Sequence, residues 1–375
     1  MRAFWRFVPE AALMLTAVYA SLLLPRWVKP SGTVRAASYV SVAFLVAGLL
    51  LNAAAIGNAS IAFDLMNVRG AALAWAICAC NLLGVAWIWR RLERRPFSAR
   101  RRLAIRVAAA AAMAAPAAVT AFGIVGRDKF RLVEVDVPIA GLPQDLHHLR
   151  IAQLSDIHLS PFLSRGELRR CVDMANETKP HIAFVTGDLV TGSYDPVDDC
   201  LEELRRLRSD AGTFGCMGNH ETYIGGEAYV KEHAARRGMR FLRGERTALR
   251  FGEAKLNLAG VDYQPKAQPY LRGAQRMLAP GEFNLLLSHN PDVFRVAREQ
   301  GWNLTLAGHT HGGQINVEIL EQDLNLVRVF VTPYVYGLYQ EGGKSIYVTR
   351  GIGTVGVPAR FGAPPEVALI RLCAT

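Results

Sequence analysis

Nowhere in the 375 residues do two cysteines form a Cys-x-x-Cys pair. That absence excludes a zinc ribbon and a dithiol redox motif. The six cysteines are scattered: Cys78 and Cys80 in an apolar run, where they read as core or lipid-facing, then Cys171, Cys200, Cys216 and Cys373. Cys216 lies in an apolar stretch and reads as a buried thiol. Acids are scarce in the first third, where residues 1–126 carry 14 Lys/Arg against 3 Asp/Glu. A positive surplus is missing from the remainder, which carries 29 residues of each sign. Nucleic-acid binding draws on a basic face. The balanced part of the chain has no net charge to supply one, so no nucleic-acid partner is expected. Internal repeats are also absent, and low complexity is confined to the Ala-rich run at 108–118.

What is abundant is apolar sequence, 51% of the chain, concentrated before residue 126. Four stretches, near 7–24, 36–56, 71–89 and 103–125, each approach or reach the ~20 residues that cross a bilayer as a helix. Pro9 and Glu10 interrupt the first. It lacks a clear small-x-small cleavage site after its apolar core, and reads as a retained helix rather than a removed signal peptide. Between the third and fourth stretches lie Arg90, Arg91, Arg94, Arg95, Arg100, Arg101, Arg102 and Arg106, with Glu93 the only acid. Basic loops stay in the cytoplasm. The expected layout is a transmembrane region at 1–126 and a soluble domain at 127–375 that faces away from the cytoplasm.

From residue 127 the texture is that of an α/β domain. Strands are predicted at 150–154, 182–186, 213–217, 255–259, 283–287 and 303–307. Helices are predicted at 166–177, 196–208 and 227–237. Five polar blocks follow apolar runs: Asp156-Ile157-His158, Gly187-Asp188, Gly218-Asn219-His220-Glu221, Ser288-His289-Asn290 and Gly308-His309-Thr310-His311-Gly312-Gly313-Gln314. Five of the nine histidines fall inside them; His147, His148, His181 and His233 do not and read as surface or core residues. Residues i and i+2 of an extended backbone project to one side, so Asp156 and His158 can meet one metal, as can His309 and His311. Asp188 offers two oxygens able to bridge two cations, and Asn219 offers a neutral carbonyl. An N/O donor set without thiolates suits Mn, Fe, Zn or Co. Ligands at the ends of apolar runs point to one edge of a sheet.

These blocks resemble the calcineurin-like metallophosphoesterase superfamily over roughly residues 148–373. The tail, with Gly337-Leu338-Tyr339, Tyr347–Gly353 and Arg360-Phe361-Gly362, is similar to the bacterial membrane-anchored branch of that family. The resemblance implies a four-layer α/β/β/α sandwich, here preceded by an all-α membrane region. It implies two divalent metals, the first held by Asp156, His158 and His311, the second by Asn219, His289 and His309, with Asp188 bridging. It also implies a catalytic, non-ligand His220, and a bridging water or hydroxide that attacks phosphorus in line with the leaving group. Glu221 would orient His220, and Gly312 and Gly313 would present amides to phosphate. Arg350 and Arg360 read as phosphate binders or, more simply, as ion-paired arginines.

The expected activity is hydrolysis of a phosphodiester, pyrophosphate or phosphomonoester, on a lipid or envelope precursor at the bacterial inner membrane. Two other readings compete. One is a pyrophosphatase for nucleotide-linked lipids on the cytoplasmic face, which needs the opposite topology. The other is a metal-loaded membrane scaffold without turnover, which loss of a ligand or of His220 would have favoured; none is lost.

Overall fold

The computed structural model describes residues 2–27, 32–57, 68, 72, 75, 76, 79, 80, 123–193, 195–265, 269–314, 316–319, 322–325, 327, 328 and 331–375. The chain forms two compact units: Met1–Val125 with Gly356–Ala359, and Gly126–Val355 with Arg360–Thr375.

In the first unit, α1 (Arg2–Trp27) packs on α2 (Gly32–Gly57). Their packed side includes small residues. Met14, Ala17, Leu45, Ala72 and Ala76 are buried together, and a Cβ on Gly48 would stand 2.6 Å from that of Ala72. Ser21 and Ser41 hydroxyls meet at 3.0 Å, and Trp75 Nε1 donates to Ser41. The opposite faces stay bare: Leu15, Tyr19, Tyr39, Val40 and Leu50 are exposed. Among the described residues no helix is long and apolar enough to cross a membrane. The third and fourth expected stretches lie almost wholly outside those residues.

The second unit is built on two six-stranded sheets. The first contains β1 (Arg131–Ile139), β2 (Arg150–Leu154), β3 (Ile182–Val185), β4 (Thr213–Gly215), β5 (Met239–Phe241) and a C-terminal strand. The second contains β6 (Glu245–Phe251), β7 (Ala254–Gly260), β8 (Phe283–Leu287), β9 (Leu304–Ala307) and a later hairpin. A small ribbon, β10 (Val317–Ile319) and β11 (Gln322–Leu324), precedes that hairpin, which is β12 (Gly337–Glu341) and β13 (Lys344–Val348). The C-terminal strand is β14 (Glu366–Ala374). The strand orders are β1-β14-β2-β3-β4-β5 and β12-β13-β9-β8-β7-β6. Strands β2 to β5 are mutually parallel, as are β7, β8, β9 and β13.

The inner strands β2, β3, β8 and β9 are buried on both faces because each sheet is covered twice. Ile151, Ile182 and Phe184 of the first sheet meet Leu258, Leu285, Leu306 and Tyr347 of the second in one buried cluster. Each such side chain contributes about 1.5–3 kcal/mol by leaving water. Behind the first sheet lie α3 (Arg165–Glu177), α4 (Val197–Leu204) and α6 (Glu227–Arg236), supplying Leu168, Val172, Leu201 and Val230 to a second cluster. A short α5 (Asn219–Ile224) precedes α6. Behind the second sheet, α7 (Phe294–Gln300) buries Phe294 and Ala297. The layers are therefore helix, sheet, sheet, helix, as the sequence resemblance implies.

Local chemistry sets the element ends. Ser164 and Glu167 close a reciprocal capping box at the start of α3, which sequence of the form Ser-x-x-Glu specifies. Helix α4 ends at Leu204, four residues before the predicted limit. Beyond it the backbone bonds elsewhere: the Asn176 amide donates to Arg206 O and accepts from Arg208 N.

Candidate two-metal site

All five polar blocks emerge at the carboxyl ends of parallel strands. Asp156 follows β2, Asp188 follows β3, Asn219 follows β4, His289 follows β8 and His309 follows β9. The loops are stitched to one another. Asp156 N donates to Gly187 O at 3.0 Å, Ile157 N to Asp188 O at 2.8 Å, and Gly308 N to His289 O at 3.1 Å. Two glycines are required by closeness. A Cβ on Gly218 would fall 2.1 Å from Asp188 Oδ1, and one on Gly308 would fall 2.3 Å from Asp156 Oδ2.

The local backbone differs from the extended run expected of the i, i+2 pairs. Asp156, His158, Asp188, His309 and His311 have φ of 51°, 49°, 55°, 76° and 53°. These are left-handed conformations that non-glycine residues rarely adopt, and holding them costs of order 1–3 kcal/mol each. The pairs converge because both members of each are left-handed, beyond the strand end, and not because a strand continues through them.

Three overlapping clusters result: Asp156, His158 and His311; His158, Asp188 and His220; Asp188, His289 and His309. Within each, the candidate ligand atoms all lie within 4.8 Å of one another. Asp188 Oδ2 stands 3.1 Å from His289 Nε2 and 3.5 Å from His158 Nε2, while Asp156 Oδ1 stands 3.5 Å from His311 Nε2. His309 Nδ1 lies 3.2 Å from His289 Nε2. The imidazoles are aimed by their far nitrogens. His289 Nδ1 donates to Thr186 O at 2.7 Å, which turns Nε2 to the carboxylates. His158 Nδ1 meets Thr191 Oγ1 at 3.0 Å. His220 Nδ1 donates to Thr191 O at 2.7 Å, which fixes the direction of Nε2. Asn219 opens α5 between Gly218, which crowds Asp188, and His220, whose N–H donates to Asp188 Oδ1 at 2.9 Å.

Electrostatics follow from burying two carboxylates among imidazoles. Burial pushes the Asp156 carboxyl up to about 6; Asp188 adds to the rise and His289 opposes it. Burial acts on Asp188 in the same sense, yet His289, His220 and His158 hold its carboxylate well below the usual range. Burial disfavours charge on His289, but Asp188 and Asp156 outweigh it and hold the ring up to about 10. Burial and then His220 press His158 down to about 3, and burial with His158 and Arg360 presses His311 well below its ordinary value. His158 and His311 are thus neutral, the form that binds metal. The carboxylates that hold the His289 ring up, Asp188 and Asp156, are the charges a bound cation would meet in its place.

The residues fit two divalent cations on the structure's own evidence. His158 Nε2 and Asn219 Oδ1 are buried without a hydrogen-bond partner. Such atoms are costly unless something accepts their lone pairs, and His158 Nε2 stands 3.5 Å from Asp188 Oδ2. The donor set is oxygen and imidazole only, which suits Mn, Fe, Zn or Co.

Other expectations change. Glu221 does not orient His220. It is fully buried, and its carboxylate accepts from Asp188 N, Leu189 N and Gly218 N at 2.8–2.9 Å. It ties the Asp188 loop to the Asn219 loop. Arg360 is no surface arginine: it is buried and donates to Gly353 O, His311 O and Ala363 O, and so braces the His311 loop. Arg350 pairs with Glu366 at 2.6 Å and lies over the Tyr336 ring.

Sequence reasoning missed Thr191, which holds two histidines, and Asp195, whose carboxylate accepts from Thr191 N and Gly192 N. The signal was a Thr-Gly-x-x-Asp turn just after Asp188. It also missed Tyr223, whose ring lies 5.5 Å from that of His220, and Tyr263, whose ring lies 5.5 Å from His309 and 6.3 Å from His289. Tyr263 follows β7 at the same sheet edge as the five blocks.

The family model for calcineurin-like phosphoesterases matches residues 149–313. Among curated proteins, the uncharacterized metallophosphoesterase YkuE of Bacillus subtilis is 31% identical over 242 residues, covering 62% of this chain and 82% of that protein. Phosphodiesterase YaeI of Escherichia coli is 30% identical over 229 residues, covering 60% of this chain and 82% of that protein. A transmembrane protein with metallophosphoesterase domain from Danio rerio is 30% identical over 266 residues, covering 64% of this chain but 57% of that protein's length. With the geometry and these matches together, the chain belongs to the calcineurin-like phosphoesterase family and is a phosphoester hydrolase dependent on a pair of divalent metal ions.

Proposed function

We propose that the chain hydrolyses a phosphodiester or pyrophosphate at the membrane surface. The observation that carries the catalytic part is the run of three overlapping donor clusters sharing Asp188 and His158. In this reading Asp156, His158 and His311 hold one cation, Asn219, His289 and His309 hold the other, and Asp188 serves both. Bound there, two such ions acidify a water and neutralise phosphoryl charge. The chain's own residues do the rest. His220, with Nδ1 fixed on Thr191 O, keeps Nε2 free to donate a proton to the leaving oxygen or to hold a phosphoryl oxygen. Glu221 fixes the Asp188 backbone, and Arg360 fixes that of His311.

Membrane attachment belongs to the same proposal. Helix length and apolarity among the described residues do not support it. Its support is the four apolar stretches of the sequence, the bare apolar faces of α1 and α2, and the transmembrane relative from zebrafish. The Arg-rich loop at 90–106 favours a catalytic unit outside the cytoplasm, where a lipid or envelope phosphoester is the available substrate class.

The test is the full chain in detergent, loaded with Mn or Zn and assayed on aryl monoesters, aryl diesters, phospholipids and lipid pyrophosphates, beside Asp188→Asn. Wild type is expected to turn over at least one diester or pyrophosphate. The variant is expected to lose turnover and at least one equivalent of metal by elemental analysis. Full metal content with normal turnover in Asp188→Asn would falsify the shared-ligand assignment.

A further inference from the structure

The segment after β7 leads away from the metal cluster into a second concavity. Tyr263 faces His309 and His289. Its two chain neighbours, Asp262 and Gln264, line a cleft of about 420 Å³ with Arg243, Arg272 and Arg276 among its walls. That volume is in the range of small-molecule sites. The cleft is a built feature. Gln264 Nε2 donates to Asp262 O, its Oε1 accepts from Leu271 N, and its carbonyl accepts from Asn290 Nδ2, next to the ligand His289. Leu271 and Ala274 are rooted in the apolar cluster beneath. Leu271 sits at φ 53° and Gly273 at φ 79°, a turn that leaves Arg272 and Arg276 exposed.

The charges of this cleft are unequal. Asp262 is its only acid among the described residues and is engaged by Arg243 through contacts of 2.9–3.2 Å. Glu227 and Glu245 also act on Arg243. Arg272 and Arg276 make no ion pair among the described residues, so the cleft keeps two uncommitted guanidinium groups. Planar guanidinium forks match phosphate oxygens. The usual role of such arginines is a solvated surface. Here they border a pinned cavity two of whose lining residues, Asp262 and Gln264, flank Tyr263 in the chain, and the Tyr263 ring lies 5.5 Å from that of His309.

We propose that this cleft is a subsite for a second phosphate carried by the substrate, so that the enzyme prefers a phosphodiester whose alcohol bears another phosphate. The proposal rests on the catalytic reading above for the first phosphate. The distal phosphate sits between Arg272 and Arg276, the linking group crosses the Tyr263 ring, and the scissile phosphate lies at Asp188.

The experiment compares thymidine 3′,5′-bisphosphate with thymidine 5′-monophosphate by calorimetry on the full chain in detergent, with and without Mn. Wild type is expected to bind the bisphosphate roughly tenfold more tightly, about the worth of one solvent-open charge-assisted hydrogen bond. Arg272→Ala with Arg276→Ala is expected to equalise the two ligands and to leave metal content and hydrolysis of bis(p-nitrophenyl) phosphate unchanged. Arg272→Lys with Arg276→Lys is expected to restore part of the preference. Equal affinities in wild type, or a preference that survives the double alanine variant, would overturn the subsite. Preserved preference in a protein that hydrolyses no phosphodiester with any metal would instead defeat the catalytic reading and leave the subsite standing.

Discussion

At the scale of single residues, the site is a problem in aiming lone pairs. Thr186 O, Thr191 Oγ1 and Thr191 O occupy the far nitrogens of His289, His158 and His220. Fixing one ring nitrogen fixes the tautomer and the direction of the other. In the proposed function His220 differs from the rest in work, not in support. If it acts as the proton donor, His220→Ala keeps its metals and loses about 10²–10⁴-fold in kcat. The deficit is expected to shrink as the leaving alcohol becomes more acidic, read from kcat over a series of substituted aryl diesters. A uniform deficit across the series assigns His220 to holding the phosphoryl oxygens, and loss of metal moves it among the ligands.

Elements decide where those residues stand. Parallel strands buried on both faces deliver every block to one edge, and that much was legible from apolar runs ending in Asp, Asn or His. Less was legible of the strands without such a run: β1, β6 and β12 alternate exposed or half-exposed residues with weaker apolar ones, and β5 is three residues long. The left-handed turns at Asp156 and His309 were not legible either, because Asp and His, though enriched at positive φ, adopt it too seldom for the sequence to signal it. Nor was the role of Glu221, two of whose three backbone amide partners are 32 and 33 positions away. The helix layer shows how charge joins elements. Glu203 on α4 is buried and takes Arg165 at 2.6 Å and Arg169 at 2.8 Å from α3. The hydrogen bond from Arg169, then that from Arg165, pulls its carboxyl down to about 2 against the effect of burial. A depressed carboxylate contributes stability above its unfolded pKa, near 4.3, that is lost as pH falls through the folded value. The half-exposed arginines are screened by solvent, which leaves about 1–2 kcal/mol of the nominal ~3 kcal/mol. Glu203→Gln is therefore expected to lower Tm at pH 7, and the gap to wild type to close as pH falls from 5 toward 2. A gap that does not change with pH would assign the loss to packing.

The whole molecule poses a question of sidedness. Its first 126 residues hold the entire net charge of +11, while the catalytic unit is neutral overall. Within the first unit α1 and α2 expose several large apolar residues, among them Leu15, Tyr19, Leu22, Tyr39, Val40 and Leu50, a surface that water does not favour and hydrocarbon does. Eight arginines at 90–106, opposed only by Glu93, resist translocation. If that loop is cytoplasmic and the stretch at 103–125 crosses, the chain leaves the membrane on the far side before Arg127. A reporter active only after export, fused after residue 130, is then expected to be active, and a fluorescent reporter confined to the cytoplasm to stay dark at the same junction. Moving the fusion to residue 98 should reverse both signals. The opposite pattern at 130 would mean that the Ala-rich stretch does not cross, since failure of the first stretch alone leaves the exit side unchanged. The catalytic unit would then face the cytoplasm, and nucleotide-linked lipid pyrophosphates would replace outer-leaflet phosphoesters as the substrates to assay.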